Sequence, residues 1–183
     1  MIAYRDAGPD DAALMSRLGK QTFVETFGHL YTPENLAAFL ENHSAANWHG
    51  ELSSPDFAIR IAEDAGTAAG FAKVGPPSLP FEVTGPTAEL RQLYLLKPWH
   101  GQGVAHALMD WAIEEAKRRG AEQLYLSVFV DNHRARRFYD RYGFEAVGTY
   151  DFMVGTHADL DIIMRKLLSP PFVTPDLIRG PPS

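Results

Sequence analysis

The chain has 183 residues, 45% of them hydrophobic and 22% charged, with a formal net charge of −6 and no cysteine. The missing cysteines exclude disulfide frameworks, thiolate metal sites and a cysteine nucleophile. The acidic balance argues against general nucleic-acid binding, which wants a basic stripe, and weakly favours a cationic substrate. A chain of this length suits one domain that buries about 70% of its unfolded surface. It shows no basic-then-apolar leader and no apolar run near the roughly 18 residues of a membrane span. A cytoplasmic protein without membrane partner is therefore expected.

Residues 2–5 read as a short strand, and Pro9-Asp10-Asp11 opens a helix with acids in its first turn, where the macrodipole favours them. Leu14 and Leu18, then Phe23 and Phe27, fall four apart on one face. Thr32-Pro33-Glu34 restarts a helix with Thr as cap and Pro at the first helical position, and Leu36, Phe39 and Leu40 form its apolar face. The aromatic segment 23–40 reads as core packing, with a lid or wall over a substrate site as the alternative. Residues 57–63 and 68–74 form a hairpin around Asp64-Ala65-Gly66-Thr67. A long proline-punctuated loop follows over 75–86, of a length that is usually functional or mobile.

Residues 88–96 read as the central strand. Apolar positions recur at Leu108, Trp111, Ala112 and Ala116 up to the stop Arg118-Arg119-Gly120, a helical period. Residues 124–128 give a second strand, parallel to the first by the right-handed crossover rule. Asp131-Asn132 caps a helix through Tyr142, ended by Gly143. Two strands close the domain, 144–150 and 158–166, the latter with Leu160, Ile162 and Met164 on one face. The domain spans 1–168, and the proline-rich stretch 169–183 reads as an extended tail outside it.

Everything turns on Leu93-Tyr94-Leu95-Leu96-Lys97-Pro98-Trp99-His100-Gly101-Gln102-Gly103-Val104-Ala105. A strand runs into a glycine turn and then a helix N-terminus, whose free N–H groups make a place for phosphate. A P-loop would need Lys and Ser/Thr after the second glycine, and neither follows Gly103. A dinucleotide fingerprint would need a third glycine where His106 stands. His100-Gly101-Gln102-Gly103-Val104-Ala105 instead resembles the pyrophosphate turn of GNAT N-acetyltransferases, Gln/Arg-x-x-Gly-x-Gly/Ala, at all but its first position. Asn132-His133-Arg134-Ala135-Arg136-Arg137-Phe138-Tyr139-Asp140-Arg141-Tyr142-Gly143-Phe144 resembles the family's Asn-x-x-Ala-x-x-Phe-Tyr-x-x-x-Gly-Phe segment. Thr22-Phe23-Val24-Glu25-Thr26-Phe27-Gly28 with Tyr31-Thr32-Pro33-Glu34-Asn35-Leu36 looks like the N-terminal segment of PaiA-type polyamine acetyltransferases.

The resemblance implies an α/β (α+β) fold, a mixed sheet of about seven strands splayed at an acetyl-CoA site and flanked by about four helices. Acetyl-CoA would be the co-substrate, with no metal. Leu93, Tyr94 and Leu95 would meet pantetheine. The N–H groups of Gly101, Gln102, Gly103, Val104 and Ala105 would take the pyrophosphate. Asn132 would reach pantetheine or cap its helix. His100 replaces the usual Arg or Gln, so its side-chain contact is open while the backbone cradle stands. Tyr139 would be the general acid at the CoA sulfur, and the Leu93 N–H would polarise the thioester carbonyl. For the base, Glu25 or Glu89 acting through water comes first, with Asp151 or Asp159 closing the site from the last strands.

The expected activity is transfer of acetyl to a primary amine of a small molecule, with a polyamine as the candidate. A peptide or protein N-terminus is the alternative acceptor, and a non-catalytic acyl-CoA sensor is the alternative of another class. Family habit also points to a homodimer through the last strands.

Overall fold

The computed structural model describes residues 1–169, so the tail expected over 169–183 lies almost wholly outside the described residues. Seven strands form one sheet: β1 (Ile2–Asp6), β2 (Ala58–Asp64), β3 (Thr67–Gly75), β4 (Thr87–Leu95), β5 (Gln123–Phe129), β6 (Glu145–Val154) and β7 (His157–Leu167). Their order is β1-β2-β3-β4-β5-β7-β6. Every neighbouring pair is antiparallel except β4 and β5, which run parallel. The helices are α1 (Ala12–Phe27), α2 (Pro33–Leu40), α3 (Ala45–Leu52), α4 (Val104–Arg118) and α5 (His133–Arg141). None is long and apolar enough to cross a membrane.

The strands bury both faces. Ile59, Ile61 and Phe71 pack with Met15 and Leu18 of α1 and Trp48 of α3. Ala62, Ala72, Val74 and Leu90 pack with Leu108, Met109 and Ala112 of α4 on another core. Alternating side-chain direction along each strand serves the two cores at once.

Three local readings change. Residues 45–52 fold as α3, capped by the Ser44 side chain on the Asn47 N–H at 3.2 Å. Its sole buried residue is Trp48, too sparse an apolar stripe to register as periodicity. On β7 the buried alternation is Asp159, Asp161 and Ile163, while Leu160 is 45% exposed. The proline-rich loop is pinned to the sheet: Ser78 and Leu79 bond the Glu89 carboxylate, and Phe81 packs on Tyr125 at 5.5 Å.

Candidate active site

β4 and β5 are paired only at Thr87–Gln123, Ala88–Leu124 and Glu89–Tyr125. Beyond Glu89, β4 follows β3 and β5 follows β7, so the parallel strands part. The β3–β4 register also slips between Lys73 and Val74, leaving Arg91 as the extra residue of a bulge that bends β4. The parted edges carry backbone groups with no strand to pair them. A cavity of about 440 Å³ fills the gap, lined among others by Leu93, Tyr94, Leu95, Val128, Phe129 and Asn132.

The glycine turn closes one end. Gly101 and Gly103 sit at φ 78° and 80°, left-handed values that a Cβ disfavours, and α4 starts directly after them. Gly101, Gly103, Val104 and Ala105 line the cavity. Gln102 does not, because its side chain turns back to donate to the Pro98 carbonyl at 2.9 Å. A Cβ built at Gly103 meets no atom within 4 Å. Gly103→Val therefore costs backbone strain and whatever ligand approaches the turn, not packing. Its expected outcome is loss of the calorimetric heat of acetyl-CoA binding, with Tm lowered by only about 2–8 °C.

His100 is tied at both ring nitrogens, Nε2 to the Leu95 carbonyl and Nδ1 to Arg134 Nη1, each at 2.8 Å. Arg134 can only donate, so Nδ1 accepts from it and Nε2 donates to the Leu95 carbonyl. Arg134, which also lines the cavity, brings a permanent cation to it. Only the arginine run of the second motif hinted at it. Asn132 caps α5 by accepting from the Ala135 N–H at 3.3 Å and also lines the cavity.

Tyr139 projects from α5 and is only 8% exposed. Burial pushes its phenol up to about 12, and among the described residues its hydroxyl has no hydrogen-bond partner. Together with Leu93, Tyr94, Ser127 and Phe129 it lines a second cavity of about 100 Å³ as well as the first. Phe23, Phe27, Tyr31 and Phe152 wall that second cavity. Phe23 stacks on Phe39 at 4.2 Å and Phe27 meets Phe129 edge-on at 6.4 Å, so the aromatic segment is core and wall together. The wall is fastened where Asn35 Oδ1 of α2 accepts from the Thr156 N–H, at 3.0 Å, in the β6–β7 turn.

Two buried acids also line this cavity, Asp159 and Asp161, each 7% exposed. Asp159 accepts from the Tyr31 hydroxyl and from His157 Nε2, the latter at 3.0 Å. Asp161 is pushed up to about 7, chiefly by burial and then by the charge of Asp159, while the Ser127 hydroxyl opposes the shift. Sequence reasoning passed over Asp161 because strict apolar alternation placed Leu160 inward.

The other acids stand elsewhere. Glu89 is 4% exposed, and its carboxylate accepts from Ser78 N at 2.8 Å, Ser78 Oγ at 3.0 Å and Leu79 N at 3.2 Å, with Arg91 Nε at 3.2 Å. Glu25 reaches the Lys97 N–H at 3.4 Å, and neither it nor Glu89 lines either cavity. Asp151 is exposed on β6.

Residues 20–144 match the model of the acetyltransferase (GNAT) family. The chain belongs to the GNAT family. An uncharacterised N-acetyltransferase of Mycobacterium tuberculosis is 34% identical over 159 residues, covering 86% of this chain and 98% of that one. An aminoalkylphosphonate N-acetyltransferase of Salmonella typhimurium is 40% identical over 57 residues, 31% of this chain and 37% of that one. Among solved structures, the PaiA N-acetyltransferase of Thermoplasma acidophilum in complex with coenzyme A superposes with a TM-score of 0.73. It is 22% identical, over 91% of this chain and 99% of that one, a likeness of fold. The observed mixed seven-stranded sheet is the one the GNAT resemblance implied. This GNAT protein is an acetyl-CoA-dependent N-acetyltransferase.

Proposed function

We propose that the protein acetylates a primary amine of a small molecule by direct attack, with Asp161 as base and Tyr139 as acid. The observation that carries this reading is the position of Tyr139, common to the walls of the larger cavity and of the acid-lined smaller one. A space of about 100 Å³ suits a compact amine rather than a peptide segment. The Salmonella relative, an aminoalkylphosphonate acetyltransferase by name, is in keeping with such an acceptor. A polyamine, the expectation from the N-terminal segment, is also a primary amine, and Asp159 and Asp161 offer it counter-charge.

The fit to acetyl-CoA rests on the left-handed Gly101 and Gly103, the N-terminus of α4 and Arg134, which together suit a pyrophosphate. The co-substrate supplies the thioester. Asp161 takes one proton from the incoming ammonium, which frees the nitrogen lone pair to form the new C–N bond. The Leu93 N–H, on the parted edge of β4, steadies the carbonyl oxygen as it gains charge. Tyr139 donates its proton to the sulfur as the C–S bond breaks. It then regains a proton from the acylated nitrogen, so thiol and amide leave neutral and Asp161 returns its proton to solvent. A homodimer through the last strands remains part of this reading, since β6 is a sheet edge with Met153 half-exposed.

A thiol-release assay with acetyl-CoA and a panel of polyamines, amino acids, aminoglycosides and short peptides tests the proposal. Turnover on small amines alone is expected. Turnover confined to peptides would overturn the acceptor class, and tight acetyl-CoA binding without turnover on any of them would favour a sensor.

A further inference from the structure

A third cavity, of about 230 Å³, adjoins the acceptor cavity: Arg91, Gln92, Tyr94 and Phe152 line both. Its remaining wall includes Trp48 and Glu51 of α3 and Lys73 of β3. Lys73 is only 7% exposed, with its ammonium 2.6 Å from Glu51 and 4.7 Å from the centre of the Trp48 ring. Glu51 is the only hydrogen-bond partner of that ammonium among the described residues, so two of its three protons remain to be used. Among the described residues, two polar atoms in the same wall are buried without a partner, Trp48 Nε1 and Gln92 Oε1. His43 also lines this cavity, but its own partnerless Nδ1 lies against Gly19 of α1.

Buried polar groups are almost always satisfied, so two orphans beside a buried, under-used ammonium mark a place built for something else. The chemistry of that partner follows from the donors. Trp, Lys and Arg side chains only donate, and a half-turn of the Gln92 amide presents its NH2 instead of its oxygen. Unused capacity in this wall is therefore mainly donor capacity. Arg91 is already engaged, by Glu89 at 3.2 Å and by the Pro76 carbonyl, so the donors left over are those of Lys73, Trp48 and Gln92, against one carboxylate in the wall, Glu51. Burial pushes the Lys73 ammonium down while Glu51 and Glu89 oppose the shift, and an anion in the cavity would add to their effect. A distal ammonium of a polyamine would instead face the Lys73 ammonium.

We propose that this cavity binds a compact oxyanion on the acceptor, so that the substrate is a short amine carrying a carboxylate, phosphonate or phosphate. The placement of the amine rests on the acetyl-transfer reading above; the oxyanion site itself does not.

Titration calorimetry of the full chain loaded with coenzyme A tests it, using 2-aminoethylphosphonate, 3-aminopropanoate, propylphosphonate, n-propylamine and spermidine. The oxyanionic probes are expected to bind at least about tenfold more tightly than n-propylamine. Lys73→Met should weaken them by about tenfold or more while coenzyme A binds as before. Trp48→Phe keeps an aromatic face and removes the N–H together with part of the indole; it should weaken the same probes selectively, and it decides the matter if Lys73→Met does not fold. Propylamine or spermidine binding as tightly as the oxyanions would overturn the proposal, as would equal loss for all probes in Trp48→Phe. Propylphosphonate binding that is lost in the variants, with no amine turned over, would uphold the oxyanion site and overturn the acetyl-transfer reading.

Discussion

Tyr139→Phe is expected to lower kcat by about 10²–10⁴-fold and to leave acetyl-CoA affinity unchanged. The substitution removes one oxygen from a ring held between Phe138 and Phe144, at centroid distances of 5.7 and 5.9 Å, so the packing survives. Because burial pushes the phenol up to about 12, it holds its proton throughout the working range, as the proposed donation to the departing sulfur requires. The same buried environment makes it a weak acid on its own account. Its donation gains force only as negative charge develops on sulfur, which places the effect in kcat rather than in binding. Steady-state kinetics beside calorimetric titration of acetyl-CoA separates the two. Parallel losses in kcat and affinity would reassign Tyr139 to binding.

Asp161→Asn is expected to lower kcat/KM by about a hundredfold or more and to abolish its rise with pH. In the wild type that rise should centre near pH 7, where Asp161 gives up its proton and becomes a base. The fold should respond in the opposite sense. An aspartate raised from 3.8 to about 7 binds more protons folded than unfolded between those values, so stability falls as pH rises through that window. Asn cannot ionise and escapes the penalty. The variant's Tm should therefore exceed the wild type's by more at pH 8 than at pH 5, in melts recorded at both. A variant that loses activity at every pH and shows no pH-dependent gain in Tm would remove Asp161 from the role of base. Asp159 is spoken for by Tyr31 and His157, which leaves Asp161 the carboxylate free to meet an amine.

The half of the site around the glycine turn was legible in sequence because local rules govern it. Left-handed φ at Gly101 and Gly103, the start of α4 at Val104 and the Asn132 cap each depend on a few adjacent residues. The acceptor half was less legible, since its residues meet through pairings that no local pattern records. Whether Asp161 faces inward depends on the register of β7 against Phe129 and Tyr150. Glu89 looked free on the central strand until Ser78, eleven positions earlier, claimed it. The cation beside the turn comes from Arg134, thirty-four positions beyond the His100 it binds. α3 was hidden for a plainer reason, having one buried anchor and a glycine, Gly50, in its interior.

The brevity of the β4–β5 ladder divides the sheet into two plates joined along a short weld at Thr87–Glu89. The plate ending in β4 presents Leu93, and α1 attached to it brings Phe23 and Phe27. The plate beginning with β5 brings Asp161 and, through α5, Tyr139. In the proposed mechanism, groups that act on one acyl carbon thus approach it from opposite shores, and a molecule lying in the channel would bridge them. A co-substrate in that position would be at once reactant and mortar, setting the spacing across which its own bond is broken.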